Sequence, residues 1–219
     1  LTLALARQTS TALKKYGIDV VLTRTRDIYI GLDKRTELAN AAAANGRTAV
    51  FISIHANSSP DARSNGVETY IFNATNNDAS RRLADLENGK RWAQSHGTLE
   101  LILSDLATTA NYGASLQLAC LVQDSVLNQL KHQGQNKLRN RGIRQALFYV
   151  LMQTHMPSLL FEPGFLSNPQ ELSKMLNPLY QRTVAEALSR GILNWQHAQA
   201  KAAESPLRLS APLKCQVER

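Results

Sequence analysis

Aromatic residues make up only 6% of the chain and are not interleaved with its basic residues. Stacking platforms for nucleic-acid bases are therefore missing, and an excess of 25 Lys and Arg over 17 Asp and Glu does not by itself argue for nucleic acid. The resulting charge of +8 suits an anionic polymer or an acidic surface without choosing between them. Long apolar runs are also missing: no stretch approaches the roughly 18 residues of a membrane-spanning helix, so no membrane span is expected. Cysteine is limited to Cys120 and Cys215, too few for a disulfide framework or a zinc knuckle. Cys120 lies within a helical pattern and reads as a buried free thiol. No internal repeat and no leader peptide is legible. With 43% hydrophobic and 19% charged residues over 219 positions, what remains is a soluble globular chain able to bury a substantial core in one domain.

Two apolar runs stop abruptly on side chains that can do chemistry. Ser158 to Phe161 has the length and composition of a strand buried on both faces; it ends on Glu162, and Pro163-Gly164 follows at once. Ala49 to Ile54 is a second such run, ending on His55-Ala56-Asn57. In open α/β sheets the carboxyl ends of buried strands face the ligand crevice, which makes Glu162 a candidate general base and His55 a candidate metal ligand. A salt-bridged strand end and a hydrogen-bonded structural histidine are the plainer readings of the same residues.

Around these runs the pattern alternates. Leu1 to Tyr16 reads as a helix stopped by Gly17, Asp19 to Thr23 as a short strand, and Leu32 to Ala44 as a helix closed by Asn45-Gly46. Asn57 to Gly66 is a turn-rich loop, and Val67 to Phe72 a strand with Glu68, Tyr70 and Phe72 on one face. Glu68 is a second carboxylate candidate, or a solvated residue on a partly exposed strand. Ala114 to Lys131 reads as a long helix with Leu118, Val122, Val126 and Leu130 toward the core. Lys137 to Arg144 reads as a basic loop before a strand at Leu147 to Leu151. Closing helices open near Pro169 and Pro178, the second running to about Gln196, and residues 198–219 read as a disordered tail.

The stretches Phe51-Ile-Ser-Ile-His55-Ala-Asn57 and Phe161-Glu-Pro-Gly-Phe-Leu-Ser-Asn168 resemble two motifs of the zinc-dependent N-acetylmuramoyl-L-alanine amidases, which cut peptidoglycan. Arg35 to Asn40, Gly66 to Tyr70, Arg141-Gly142-Ile143 and Phe148 to Leu151 fit the same family pattern in order. The resemblance implies an α/β catalytic domain over residues 1–197, with helices on both faces of a mixed sheet of about five to six strands, the family's first strand missing. It implies Zn2+ as cofactor with His55 as one ligand, Glu162 as the catalytic base, and peptidoglycan as substrate in a periplasmic or secreted setting. Family members carry two further ligands, a His and a Glu, ahead of the position matched by Leu1, so the chain is expected to be N-terminally incomplete; one that had lost its metal site would instead be a non-catalytic wall-binding or regulatory domain.

The path from Asp78 to Arg141 is longer than in compact family members. The extra stretch, about residues 86–111 with an amphipathic segment at Leu99 to Leu106, resembles the regulatory insertion of the cell-division amidases. There a helix covers the metal site, a Glu on it takes the open coordination position, and a LytM-domain activator displaces it; Glu87 sits where that Glu is expected. Arg141, in the basic loop, is either a solvated turn residue or a contact for carboxylates of the peptide stem. A zinc exopeptidase is a further reading that fold analogy alone supports.

Overall fold

The computed structural model describes residues 1–44, 48–89, 98–135, 138–204, 215 and 217, with residues 98–110 described as backbone only. Two helices, α1 (Thr2–Lys14) and α2 (Leu32–Ala43), precede strand β1 (Phe51–Ile54). Strand β2 (Val67–Phe72), helix α3 (Asp78–Asn88) and the long helix α4 (Thr98–His132) follow. Strand β3 (Asn140–Ala146), the short helix α5 (Tyr149–Met152), strand β4 (Ser158–Glu162) and helices α6 (Pro169–Leu176) and α7 (Pro178–Glu204) complete the order.

Among the described residues the sheet has four strands in the order β1-β4-β2-β3. It is mixed as expected: β1 runs parallel to β4 and β2 parallel to β3, whereas β2 and β4 are antiparallel. Successive strand residues face opposite sides, so each strand feeds two cores. Val67, Ile71, Leu159 and Phe161 pack with Leu5 of α1, Leu118 and Val122 of α4 and Val184 and Leu188 of α7. Tyr70, Phe72 and Leu160 pack on the other side with Leu83 of α3 and Leu151 of α5. On α4, Leu118, Val122, Val126 and Leu130 recur every fourth position and are all buried, which makes the inward stripe. Gly191 lets α7 approach it closely, since a Cβ there would lie 2.6 Å from Val122 Cα.

Several expectations are corrected. Asp19 to Thr23 takes no place in the ladder, although Val20 still packs against the core. Leu147 to Leu151 is not a strand; its place is taken by β3, which occupies much of the supposed basic loop, and Tyr149–Met152 turns into α5. The alanine- and lysine-rich end of α7 stays helical to Glu204, as its strong helix formers favour, so residues 198–204 are not a disordered tail. Cys120 is not a free thiol: it is bonded to Cys215 at a Cα–Cα distance of 5.6 Å, and Val217 bridges to Ile143 on the outer edge of β3. Asn45-Gly46 lies outside the described residues, as does the middle of the supposed insertion, residues 90–97; Leu99 to Leu106 is helical in its backbone.

Candidate active site

Phe51, Ser53 and His55 alternate on the same side of the sheet as Leu160 and Glu162 of β4 and as Glu68 and Tyr70 of β2. Because β1 and β4 run parallel, their carboxyl ends coincide, and antiparallel β2 brings its beginning to the same place. His55, Glu162 and Glu68 therefore meet at one end of one face. The two parallel chains stay zipped beyond the strands: His55 N–H donates to Phe161 O at 3.0 Å, Asn57 N–H to Gly164 O at 2.9 Å, and Leu166 N–H to Asn57 O at 2.7 Å.

Glu68 and Glu162 are direct cross-strand partners. Both are buried, to 1% and 0% exposure, yet their surroundings are opposite. Glu68 accepts a hydrogen bond from Arg141 Nε at 2.6 Å and from Tyr70 Oη at 2.9 Å, lies 3.1 Å from Arg144 Nε, and accepts another from Asn57 Nδ2. Neither oxygen of Glu162 has a hydrogen-bond partner among the described residues. Burial, with the nearby charges of Glu68 and Glu87 adding to it, pushes the Glu162 carboxyl well above the usual carboxylate range. The same preference makes its ionised form a stronger proton acceptor than an exposed carboxylate, and no hydrogen-bond partner among the described residues competes for it.

Arg141 and Arg144 are three residues apart, a spacing that would place them on opposite faces of a regular strand. The ladder between β2 and β3 shifts register between Val67 and Thr69, and Gly142 sits there at φ 77°. That extra residue turns the strand, and both guanidinium groups arrive at Glu68. Arg141 also lies over the Phe165 ring, 4.9 Å from its centroid. Arg141 is thus tied to a protein carboxylate, with 16% of its side chain exposed.

Glu87 comes from the last turn of α3, and its Oε2 lies 2.9 Å from His55 Nδ1. Burial works against its ionisation, but the hydrogen bond and charge of His55, with Arg35 beyond, outweigh it and hold the carboxyl below its ordinary value. His55 and Glu87 are two donors of the kind zinc accepts. A catalytic zinc takes three protein ligands, and no cluster of three or more His, Cys, Asp or Glu side chains able to hold a metal ion occurs among the described residues. The described side chains thus do not complete such a site.

The structure brings together His55, Glu162 and Glu87, the residues singled out in the sequence, and it buries Glu68, whose reading as a solvated residue is corrected. Glu68 shares the alternation parity of Tyr70 and Phe72, both core residues, and that parity was the available signal. Arg144 had none.

A family model described as N-acetylmuramoyl-L-alanine amidase matches residues 1–194. The chain is 31% identical over 205 residues to the N-acetylmuramoyl-L-alanine amidase AmiA of Salmonella typhimurium, covering 89% of this chain and 67% of that protein. It is 29% identical to the amidase LytC of Bacillus subtilis over 88% of this chain and 30% of LytC. Among solved structures, an N-acetylmuramoyl-L-alanine amidase from Clostridium difficile superposes with a TM-score of 0.65 at 29% identity, covering 90% of this chain and 82% of that one. The catalytic domain of the amidase CwlV from Bacillus (Paenibacillus) polymyxa gives 0.63 at 28% identity, over 89% and 82%. With the family model matched over residues 1–194 and the α/β fold in agreement, this chain belongs to the N-acetylmuramoyl-L-alanine amidase family.

Proposed function

We propose that the protein hydrolyses the amide between N-acetylmuramic acid and the L-alanine of the stem peptide in peptidoglycan, with Glu162 as its general base and acid. The observation that carries this reading is the buried Glu162 carboxyl, unpartnered among the described residues and set beside His55 at the strand ends. Glu162 takes a proton from the attacking water, the oxygen adds to the amide carbonyl, and the same proton passes to the departing amine as the C–N bond breaks. Zinc is proposed as the cofactor on the family resemblance, with His55 as one ligand; bound there it would polarise the carbonyl and acidify water. Arg141 is proposed to offer its terminal nitrogens to a stem-peptide carboxylate, since Glu68 engages its Nε.

The described conformation is read as the closed one. Glu162 has no solvent exposure and Glu87 is paired with His55, which supports a conformation in which the base is shielded. Glu87 then acts as a regulatory latch, and a LytM-domain activator is the proposed partner that withdraws it, in daughter-cell separation. Action in the cell wall puts the protein in a periplasmic or secreted setting, which the Cys120–Cys215 disulfide also favours. The incomplete donor set around His55 among the described residues supports a second reading, a peptidoglycan-binding domain without catalysis.

The Glu162→Gln variant of the native metal-loaded protein separates these readings. Turnover on purified peptidoglycan should vanish with metal content unchanged. Turnover retained would remove Glu162 from the mechanism, and wild-type protein that binds the wall without cleaving it would favour the second reading.

A further inference from the structure

The last turn of α3 is held to the rest of the protein by the residue after Glu87. Asn88 Nδ2 donates to Leu147 O at 2.7 Å, and its Oδ1 accepts from Tyr149 N–H at 2.8 Å. One side-chain amide thus makes a paired set of hydrogen bonds with the backbone of the turn between β3 and α5, in the manner of a neighbouring strand. An asparagine at a helix end commonly serves its own helix. Here that task falls to Gly89, which ends α3 at φ 75° and donates to Asp85 O at 3.2 Å. The amide of Asn88 instead reaches residues 59 and 61 positions away.

The first turns of α3 are fixed independently. Asn77 caps the helix through Ser80 N–H at 2.9 Å, and Leu83 and Ala84 are buried. Beyond them Asp85 is exposed and Leu86 is 67% exposed, so apolar packing gives out one turn before Glu87. Among the described residues the final turn makes two polar attachments, Glu87 to His55 and Asn88 to the β3–α5 turn.

The geometry points to Asn88 as the positioning residue for Glu87: its clamp on Leu147 and Tyr149 seats the carboxylate on His55, and loosening that clamp opens the site with Glu87 itself intact. This inference rests on the latch reading of Glu87. It places the release point outside the metal and substrate groups, at a backbone turn that a partner can reach from solvent, since Leu147 is 36% exposed.

The test is the basal hydrolysis rate of purified peptidoglycan by the native metal-loaded protein, compared for wild type, Asn88→Ala, Glu87→Ala and the double variant. Asn88→Ala should raise the basal rate by roughly 5- to 150-fold, the order expected from two lost hydrogen bonds. Glu87→Ala should raise it at least as much, and the double variant should match Glu87→Ala, because the clamp then has nothing left to seat. Asn88→Asp guards against misfolding of the alanine variant: it keeps the acceptor for Tyr149 N–H and loses the donor to Leu147 O, and should give an intermediate rise. A rise with Glu87→Ala but none with either Asn88 variant would overturn the inference and leave the latch standing. Equal gains from Asn88→Ala with and without Glu87 would also overturn it. No rise with Glu87→Ala would remove the latch itself.

Discussion

Glu68 and Glu162 stand opposite each other across the β2–β4 ladder, one carboxylate paired with Arg141 and Arg144 and the other buried with no hydrogen-bond partner among the described residues. The pair divides two roles. Glu68 organises Arg141, Tyr70 and Asn57 into a fixed frame, and Glu162 keeps its oxygens uncommitted among the described residues, as the proposed exchange of a proton requires.

The first prediction concerns stability rather than rate. The folded protein holds the Glu162 proton more tightly than the unfolded chain, whose glutamate titrates near the ordinary 4.5. That contribution is full below the unfolded value and is lost as pH rises through the folded one. Glu162→Gln should therefore melt at a higher temperature than wild type, with a gap that opens as pH rises above the unfolded value and widens until pH has passed the folded one. Melting curves across that range check it, and a gap independent of pH would contradict it.

Replacing Glu68 should do the reverse. Glu68→Gln leaves Arg141 and Arg144, only 16% and 11% exposed at their side chains, without their carboxylate. Breaking a buried ion pair from one side costs about 3–5 kcal/mol. Denaturant unfolding measures the loss, and a change below about 1 kcal/mol would show that the network is solvated.

A third prediction follows from the turn that lets both arginines reach Glu68. Gly142→Ala places a Cβ on a residue at φ 77°, with an expected loss of about 1–2 kcal/mol. Arg141 should lose its hold on Glu68 as the bulge relaxes, so activity should fall further than the stability loss accounts for. An alanine variant with wild-type kcat/KM would contradict the bulge as the cause of the arrangement.

How far this site could be read beforehand depended on how abruptly each residue broke its local pattern. Glu162 and His55 end apolar runs, and a charge or imidazole there stands out. Glu68 alternates regularly within β2, so it reads as the polar face of a half-exposed strand; both faces of β2 are in fact covered, by α4 on one side and by the α3 and α5 layer on the other. Arg144 belongs to Asn140–Ala146, which its arginines and Gly142 disguise as a loop, because a strand whose polar residues are neutralised internally carries no apolar run. The disulfide had no spacing signal, since Cys120 and Cys215 are 95 residues apart. The two-faced sheet and the helices opening at Pro169 and Pro178 were legible because apolar periodicity and proline placement report on them directly.

That disulfide is the subject of a fourth prediction. Closing a span of 95 residues can stabilise the fold by at most about 5 kcal/mol through the unfolded chain. Reductant, or the Cys215→Ser variant, should lower the melting temperature by several degrees. Identical melting with and without reductant would mean that the bond adds nothing to the fold.

The most direct measurement is mass spectrometry of the products released from purified peptidoglycan by the native metal-loaded protein carrying Glu87→Ala, alone and together with Glu162→Gln. The single variant is expected to release stem peptides with free L-alanine amino termini and to leave muramic acid with a free lactyl carboxylate, and the double variant to release none. Cleavage at any other bond, or unchanged release by the double variant, would contradict amide hydrolysis by Glu162.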